Sequence, residues 1–283
     1  LRSVTSETKG MTEDLASDIN RQLYGNGDGI LTTANASTTS ATLTVVSTQY
    51  LEEGMHVDVG GDTDVTISSV DSETQVTLGG SITYASGDAI RITGTGATDE
   101  LNGLELITKN TTSLQNIDPA TVSIWKGNVF GADASPVPLT EDDMQEAQDA
   151  AEIRGGKVDM IITSYPGRRK YIALLAAQKR YTTPSVGKLK GGFSYIDFND
   201  IPLVIDRHCQ ASSTATRFYF LTLKDLGLYR MADFDWMKED GNILARQVGA
   251  GATESYEGTL VCDMEFATTS RRHQSVLKGV QTS

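Results

Sequence analysis

The stretch KVDMIITSYPGRRKYIALLAAQKRY, residues 157–181, indicates the fold class of the chain. Three consecutive apolar residues at 160–162 predict a buried strand, and Pro166 stands where a helix start tolerates proline. Just upstream, residues 138–156 predict another helix, which begins at Thr140 in a capping-box-like arrangement and ends at two glycines. Because a helix, an apolar strand and a helix follow one another, this part of the chain is predicted to form an α/β layer.

Strand-like segments fill the region that follows. They are FSYIDF (193–198), IPLVID (201–206), RFYFLTL (217–223), DLGLYRM (225–231) and TLVCDMEFAT (259–268). Asn199-Asp200 separates the first two and is typical of a hairpin turn. We expect 217–223 and 225–231 to continue one sheet, and 259–268 to form a long alternating strand.

The N-terminal region predicts a single amphipathic helix. Thr12 is followed by two acids, as in an N-cap, and Gly25 stands where a left-handed C-cap belongs. An apolar residue at every fourth position from Met11 to Leu23 gives one apolar stripe. This stripe needs a partner surface, because an isolated helix of this length is marginal in water.

Residues 30–98 have the composition of a small all-β unit. Short β-branched segments alternate with Gly, Asp and Ser turns, which predicts five or six strands in an antiparallel barrel or sandwich. The segment carries eight acids and one base, Arg91. A compact insertion is the favoured interpretation; the alternative is a carbohydrate-binding module, although only Tyr50 and Tyr84 supply aromatic rings.

The junction YGNGDGILTTAN, residues 24–35, resembles the middle of a calcium loop. When Asn26 and Asp28 occupy loop positions three and five, the two end positions fall on Tyr24 and Asn35. Neither residue supplies the required carboxylate, and a strand follows instead of a helix. The junction is therefore predicted to be a boundary and not a metal site.

Charge is distributed unevenly along the chain. The net charge is −13; residues 1–100 hold 15 acids and 4 bases, whereas residues 101–283 hold 22 acids and 20 bases. An acidic N-terminal third argues against contact of that part with nucleic acid.

Between positions 166 and 192 there are seven bases and no acid. These bases are Arg168, Arg169, Lys170, Lys179, Arg180, Lys188 and Lys190. They indicate a DNA-facing or inter-subunit basic patch, with a solvated charged face as the simpler alternative.

The sequence predicts no catalytic, cofactor-binding or metal-binding residues. The three histidines have no zinc-site spacing, and the two cysteines do not form a disulfide framework. Ser164 lacks the flanking glycines of a nucleophile elbow and is interpreted as a helix cap, so a hydrolase using Ser164 or Cys209 is disfavoured.

No apolar run is long enough to span a membrane. The absence of an initiator Met suggests a processed or partial chain.

Several phrases resemble the major capsid proteins of tailed bacteriophages with the Hong Kong 97 fold. They are MIITSYPGRRKYIALLAAQKRY, FSYIDFNDIPLVIDRHC, FYFLTLKDLGLYRMADFDW, YEGTLVCDMEFATTSRRHQSVLKGV and, as a spine helix, TEDLASDINRQLYGNGDG. The resemblance implies an α+β fold: a peripheral domain with a spine helix and a long β sheet, a mixed α/β axial domain and an inserted all-β domain. Its parts would be the spine helix in 1–29, the insertion in 30–98, mainly the axial domain in 99–255 and a peripheral strand with the C-terminal segment in 256–283.

The resemblance also implies a function. The chain would be a non-enzymatic capsid subunit that self-assembles as hexamers and pentamers into an icosahedral head shell around the phage genome. It would need no cofactor; its partners would be itself, packaged double-stranded DNA and possible portal, scaffold and decoration proteins, with assembly in the host cytoplasm. Members of the family normally have an N-terminal arm and an extended loop before the spine helix, and we expect both to be missing here.

Overall fold

The computed structural model describes residues 2–177, 187–188, 194–231, 234–238, 245–246 and 256–282. Its α-helices are α1 (Arg2–Gln22), α2 (Leu104–Thr108), α3 (Glu141–Ile153) and α4 (Tyr165–Ala177). Short 3-10 turns occupy Ser123–Trp125, Leu223–Asp225 and Arg271–His273. These helices accompany several separate sheets, so the predicted α+β class is confirmed.

Helix α1 begins earlier than predicted, at Arg2, and Thr12 lies inside it. The cap signals at Thr12 are overridden because no proline lies between the two positions, and the residue least favourable to a helix there is Gly10. One glycine costs a helix about 1 kcal/mol and does not stop it. The apolar stripe from Met11 to Leu23 is half-buried in the chain.

The predicted left-handed cap at Gly25 is wrong. Helix α1 ends in tight turns, in which the amide of Tyr24 donates to Arg21 O (3.0 Å) and the amide of Gly25 donates to Gln22 O (2.8 Å). The first residue after the helix with positive φ is Gly27, at 75°. Because the tight turns already pair these carbonyls, the chain reverses two residues later than the sequence predicts.

Residues 32–92 form a six-stranded antiparallel sheet. Its strands are β1 (Thr32–Thr33), β2 (Thr38–Thr44), β3 (His56–Val59), β4 (Asp62–Ser72), β5 (Gln75–Tyr84) and β6 (Ala89–Ile92), in the order β1-β6-β3-β4-β5-β2. The amide of Val46 donates to Thr33 O (3.0 Å) and that of Asn35 to Thr44 O (2.8 Å), which joins the two edge strands. The sheet therefore closes into a barrel around its own apolar core, as the alternating pattern predicts.

A seven-stranded mixed sheet forms the second core. Its strands are β7 (Asn128–Phe130), β8 (Met160–Thr163), β9 (Gly187–Lys188), β10 (Ser194–Phe198), β11 (Ile201–Ile205), β12 (Ala215–Leu221) and β19 (Ser275–Gln281), in the order β7-β19-β12-β8-β11-β10-β9. Helices α3 and α4 contribute Met144 and Tyr171 to its apolar cluster. The last strand thus packs inside the α/β core that was assigned to 99–255.

Local signals in this region are confirmed. Strands β10 and β11 form a hairpin in which Asn199 and Asp200 have φ values of 50° and 63°, as a tight primed turn requires. Thr140 caps α3 by accepting from the amide of Asp143 at 3.1 Å. The helix ends at a glycine, Gly155, with φ of 94°.

The remaining strands form a two-stranded ribbon, not a continuation of the sheet. They are β13 (Leu226–Arg230), β14 (Asp235–Trp236), β15 (Ala245–Arg246), β16 (Tyr256–Glu257), β17 (Leu260–Val261) and β18 (Met264–Thr268), paired β13 with β18, β14 with β17 and β15 with β16. The prediction that 225–231 continues the sheet is therefore wrong. The 3-10 turn Leu223–Asp225 redirects the chain, and Leu226 and Phe266 then pack against the apolar cluster of α2.

Candidate assembly surfaces

The chain leaves α1 and returns from the barrel at the same place. Arg21 makes a two-pronged ion pair with Glu100, at 2.5 and 3.1 Å, and both side chains are almost fully buried. A Cβ on Gly103 would lie only 2.4 Å from the carbonyl oxygen of Gln22, so only glycine permits this approach. Adjacent entry and exit points are what an inserted unit requires.

The junction residues that resemble a calcium loop are occupied by protein donors. Asn26 Oδ1 accepts from Lys109 Nζ at 2.5 Å, and Asn26 Nδ2 donates to Asp28 Oδ2 at 2.8 Å. The other carboxylate oxygen of Asp28 accepts from the amide of Ile30 at 3.2 Å. Over the described ranges no group of three or more His, Cys, Asp and Glu could hold a metal ion.

The barrel is fixed to the α/β core by side chains at positions 47, 49 and 50. Ser47 Oγ donates to the carbonyl of Ala211 at 3.2 Å. Gln49 Nε2 donates to the carbonyls of Arg207 (2.8 Å) and Cys209 (3.0 Å), and Gln49 Oε1 accepts from the amide of Ala211 (2.9 Å). Tyr50 donates to the carbonyl of His208 at 2.5 Å, and its ring stacks on the imidazole with a 13° angle between the planes. These bonds recognise the backbone and hold the barrel in one orientation.

A buried charge cluster lies beneath the junction. Glu105 pairs with Arg217 (2.9 Å) and Lys278 (3.5 Å), and Arg217 also pairs with Asp133 (2.6 Å). Burial by itself would raise the pKa of Glu105, but Arg217 and Lys278 outweigh it and hold that pKa below its usual value. A cleft of about 280 Å³ between the barrel and residues 210–217 includes Asp133 and Arg217 in its wall, where they pair with each other. The cluster joins α2, β12, β19 and the loop that contains Asp133.

Arg271 ties the C-terminal region to α2. Its guanidinium is fully buried and donates to the carbonyls of Leu106 (2.7 Å), Ile107 (3.0 Å), Lys109 (2.5 Å) and Thr112 (2.7 Å). It therefore pairs carbonyls at and beyond the end of the helix; those of Leu106 and Lys109 also accept the amides of Lys109 (3.2 Å) and Gly127 (3.3 Å). Burial lowers the pKa of Arg271 to about 10.

The ribbon of strands β13 to β18 carries several highly exposed apolar side chains. Its base is anchored by Leu226 and Phe266, but exposure reaches 59% at Tyr229, 92% at Met231 and 62% at Met237. Within the described residues, no third strand pairs with either edge of the ribbon. A two-stranded ribbon with free edges and exposed apolar side chains is marginal in water and is typical of a protein-contact surface.

The structure describes part of the predicted basic patch. Arg168, Arg169 and Lys170 lie together on α4, where Arg168 stacks on the ring of Tyr165 at 5.6 Å. Lys188 lies on β9. The other three predicted members, Lys179, Arg180 and Lys190, lie outside the described residues.

The two candidate nucleophiles, Ser164 and Cys209, are buried and contribute to the structure of the subunit. Ser164 is buried, bonds to Thr216 Oγ1 at 2.5 Å and accepts from the amide of Gly167 at 3.4 Å, which makes it the cap of α4. Cys209 is fully buried, and burial raises the pKa of its thiol, which disfavours the reactive thiolate. Neither side chain is presented to a substrate.

The aromatic rings that a carbohydrate site in the barrel would need are also committed. Tyr84 is 3% exposed and its hydroxyl donates to Thr42 O at 2.8 Å, while Tyr50 is held against His208.

No described helix is both long and apolar enough to cross a membrane.

No protein-family model and no curated protein matches the chain. Solved structures similar to it include a cyanophage A-1(L) capsid asymmetric unit (TM-score 0.45, 13% identity, 89% of this chain and 92% of that chain). Another is the encapsulin of the holo-SrpI complex from Synechococcus elongatus PCC 7942 (TM-score 0.41, 15% identity, 63% of this chain), of which the match spans 60%.

Proposed function

We propose that this chain is a structural subunit of a protein shell, built on the Hong Kong 97-type capsid fold and without enzymatic activity. The observation that carries the proposal is the ribbon. Its exposed Tyr229, Met231 and Met237, and its two edges, with which no other described strand pairs, give a single copy an apolar surface that needs a partner. A shell of identical copies supplies that partner at every ribbon.

The rest of the fold supports this role. The buried Arg21–Glu100 pair and the Gln49–Tyr50 contacts fix α1, the barrel and the α/β core to one another. Such a rigid subunit presents its contact surfaces in constant geometry, which repeated assembly requires.

The proposal extends to the particle. The subunits form hexamers and pentamers of an icosahedral phage head that encloses double-stranded DNA, and the chain resides in the virion after assembly in the host cytoplasm. The barrel, with eight acids and one base, acts as an insertion domain directed away from the packaged DNA, because its charge would repel phosphate. Portal, scaffold and decoration proteins are further proposed partners.

Assembly of the full-length chain tests the proposal. Light scattering and negative-stain microscopy are run over a range of salt concentrations, with and without a scaffold protein. We expect closed particles of uniform size. Monomers under every condition would contradict the proposed function.

A further inference from the structure

The exposed face of α4 combines positive charge with apolar side chains. Tyr165, Arg169 and Ile172 follow one another at helical spacing on this face, and the two uncharged side chains are 52% and 45% exposed. Arg168 lies over the Tyr165 ring and extends the same surface. We call this set the α4 face.

The charge of α4 is unfavourable for an isolated helix. The N-terminal end of a helix is the positive end of its dipole and is stabilised by acids. The first turn of α4 contains no acid, and Arg168, Arg169 and Lys170 follow directly. No carboxylate in the described parts of the chain forms an ion pair with these three bases, so an anionic partner would stabilise the helix.

The barrel offers the complementary charge at one of its ends. Glu52, Glu53, Asp71 and Glu73 are all exposed there, on neighbouring turns joined by the bond from the Thr48 amide to Glu73 O (3.0 Å). We call these four residues the acidic end. They adjoin the Gln49–Tyr50 contacts, so they are presented in a fixed position.

No base of the barrel neutralises the acidic end. Arg91 is the only Lys or Arg in residues 30–98, and its Nε donates to Asp28 O at the junction. The barrel's charge therefore remains available to a partner.

We propose that the α4 face docks against the acidic end of the barrel of a second copy of this chain. The contact rests on the proposed shell function and adds to it which surfaces of neighbouring copies meet. Each copy carries both halves, so the contact is head-to-tail, the type that closes into rings. The exposed Tyr165 and Ile172 favour a protein over DNA, because aromatic and apolar side chains form the centres of protein interfaces.

A charge-swap experiment in the full-length chain tests the contact. Arg168→Glu with Arg169→Glu reverses the α4 face, and Glu52→Lys with Glu73→Lys reverses the acidic end. We expect each pair to raise the concentration at half-assembly by about tenfold, because attraction between exposed charges becomes repulsion. Combining all four substitutions restores attraction and should return this concentration to within about threefold of the parent.

Asp142→Lys with Glu146→Lys is the matched control. These two acids are exposed on α3, and reversing them makes the same change in net charge as the acidic-end pair without touching either surface. We expect assembly of the control to equal that of the parent, and circular dichroism melting should show that every variant folds.

Three results would overturn the contact. The first is failure of the combined variant to recover, and the second is an equal loss of assembly in the α3 control. The third is normal assembly of the α4 variant into particles that contain less DNA. That result would show that Arg168 and Arg169 bind DNA phosphate and not a second copy of the chain. In all three the parent still forms particles and the proposed function stands; a parent that forms none contradicts both.

Discussion

Replacing the exposed apolar side chains of the ribbon should abolish assembly and leave the folded subunit intact. The substitutions are Tyr229→Ser, Met231→Ser and Met237→Ser, at side chains that are 59%, 92% and 62% exposed. Together their exposed portions amount to about two complete side chains, each of which contributes about 2 kcal/mol when buried in a contact. Losing about 4 kcal/mol at each contact raises the concentration needed for assembly by about a thousandfold.

Sedimentation velocity over a concentration series measures this shift. The control is Ile124→Ser with Ile153→Ser, which makes the same chemical change at side chains that are 65% and 84% exposed outside the ribbon. The control should assemble like the parent, and both variants should melt within a few degrees of it, because none of these side chains is buried in the subunit. Assembly of the ribbon variant at the parent's concentration would refute the assignment of the ribbon as a contact surface.

The interior of the subunit gives three further predictions. Arg271→Ala removes four hydrogen bonds and leaves the carbonyls of Ile107 and Thr112 without a donor among the described residues. It should lower the free energy of unfolding by about 4 kcal/mol in urea melts, with Arg271→Lys losing about half and Arg272→Ala almost nothing; a loss below about 1 kcal/mol would show that water replaces the guanidinium. Glu105→Gln should cost about 3 kcal/mol at neutral pH. Because the folded-state pKa of Glu105 lies below its usual value, parent stability should fall as the pH drops from about 4 through that pKa. The difference in free energy of unfolding between the parent and Glu105→Gln should shrink over the same pH range. An unchanged difference would contradict the assignment of Glu105 as an ionised, paired carboxylate. Gln49→Ala removes three bonds to residues 207–211 and should speed hydrogen exchange of the Ala211 amide at least tenfold. Unchanged exchange would mean that Ser47 and Tyr50 are sufficient to fix the barrel.

Local signals in the sequence predicted the elements that depend on local chemistry. The Asn199-Asp200 turn and the Thr140 cap follow from the conformations and bonds of two to four neighbouring residues. The strands of the barrel follow from alternation between glycine-rich turns. The α+β class was implied by the resemblance to the capsid proteins and not by these local signals.

Features that depend on distant partners were not predictable. The pairing of β13 with β18 is set by the packing of Leu226 and Phe266 against α2, which no short pattern encodes. The cluster around Glu105 joins residues that are far apart in the chain, and neither Glu105 nor Arg271 has a distinctive neighbourhood in the sequence. The ribbon was visible only as an alternating strand, because its isolation and exposure are properties of the folded chain.

Image reconstruction of the particle formed by the full-length chain tests the central claim most directly. The account predicts a closed shell of repeated copies in sixfold and fivefold rings, with Tyr229, Met231 and Met237 buried between copies. A particle in which these three side chains face solvent, or a chain that remains monomeric under all assembly conditions, would contradict it.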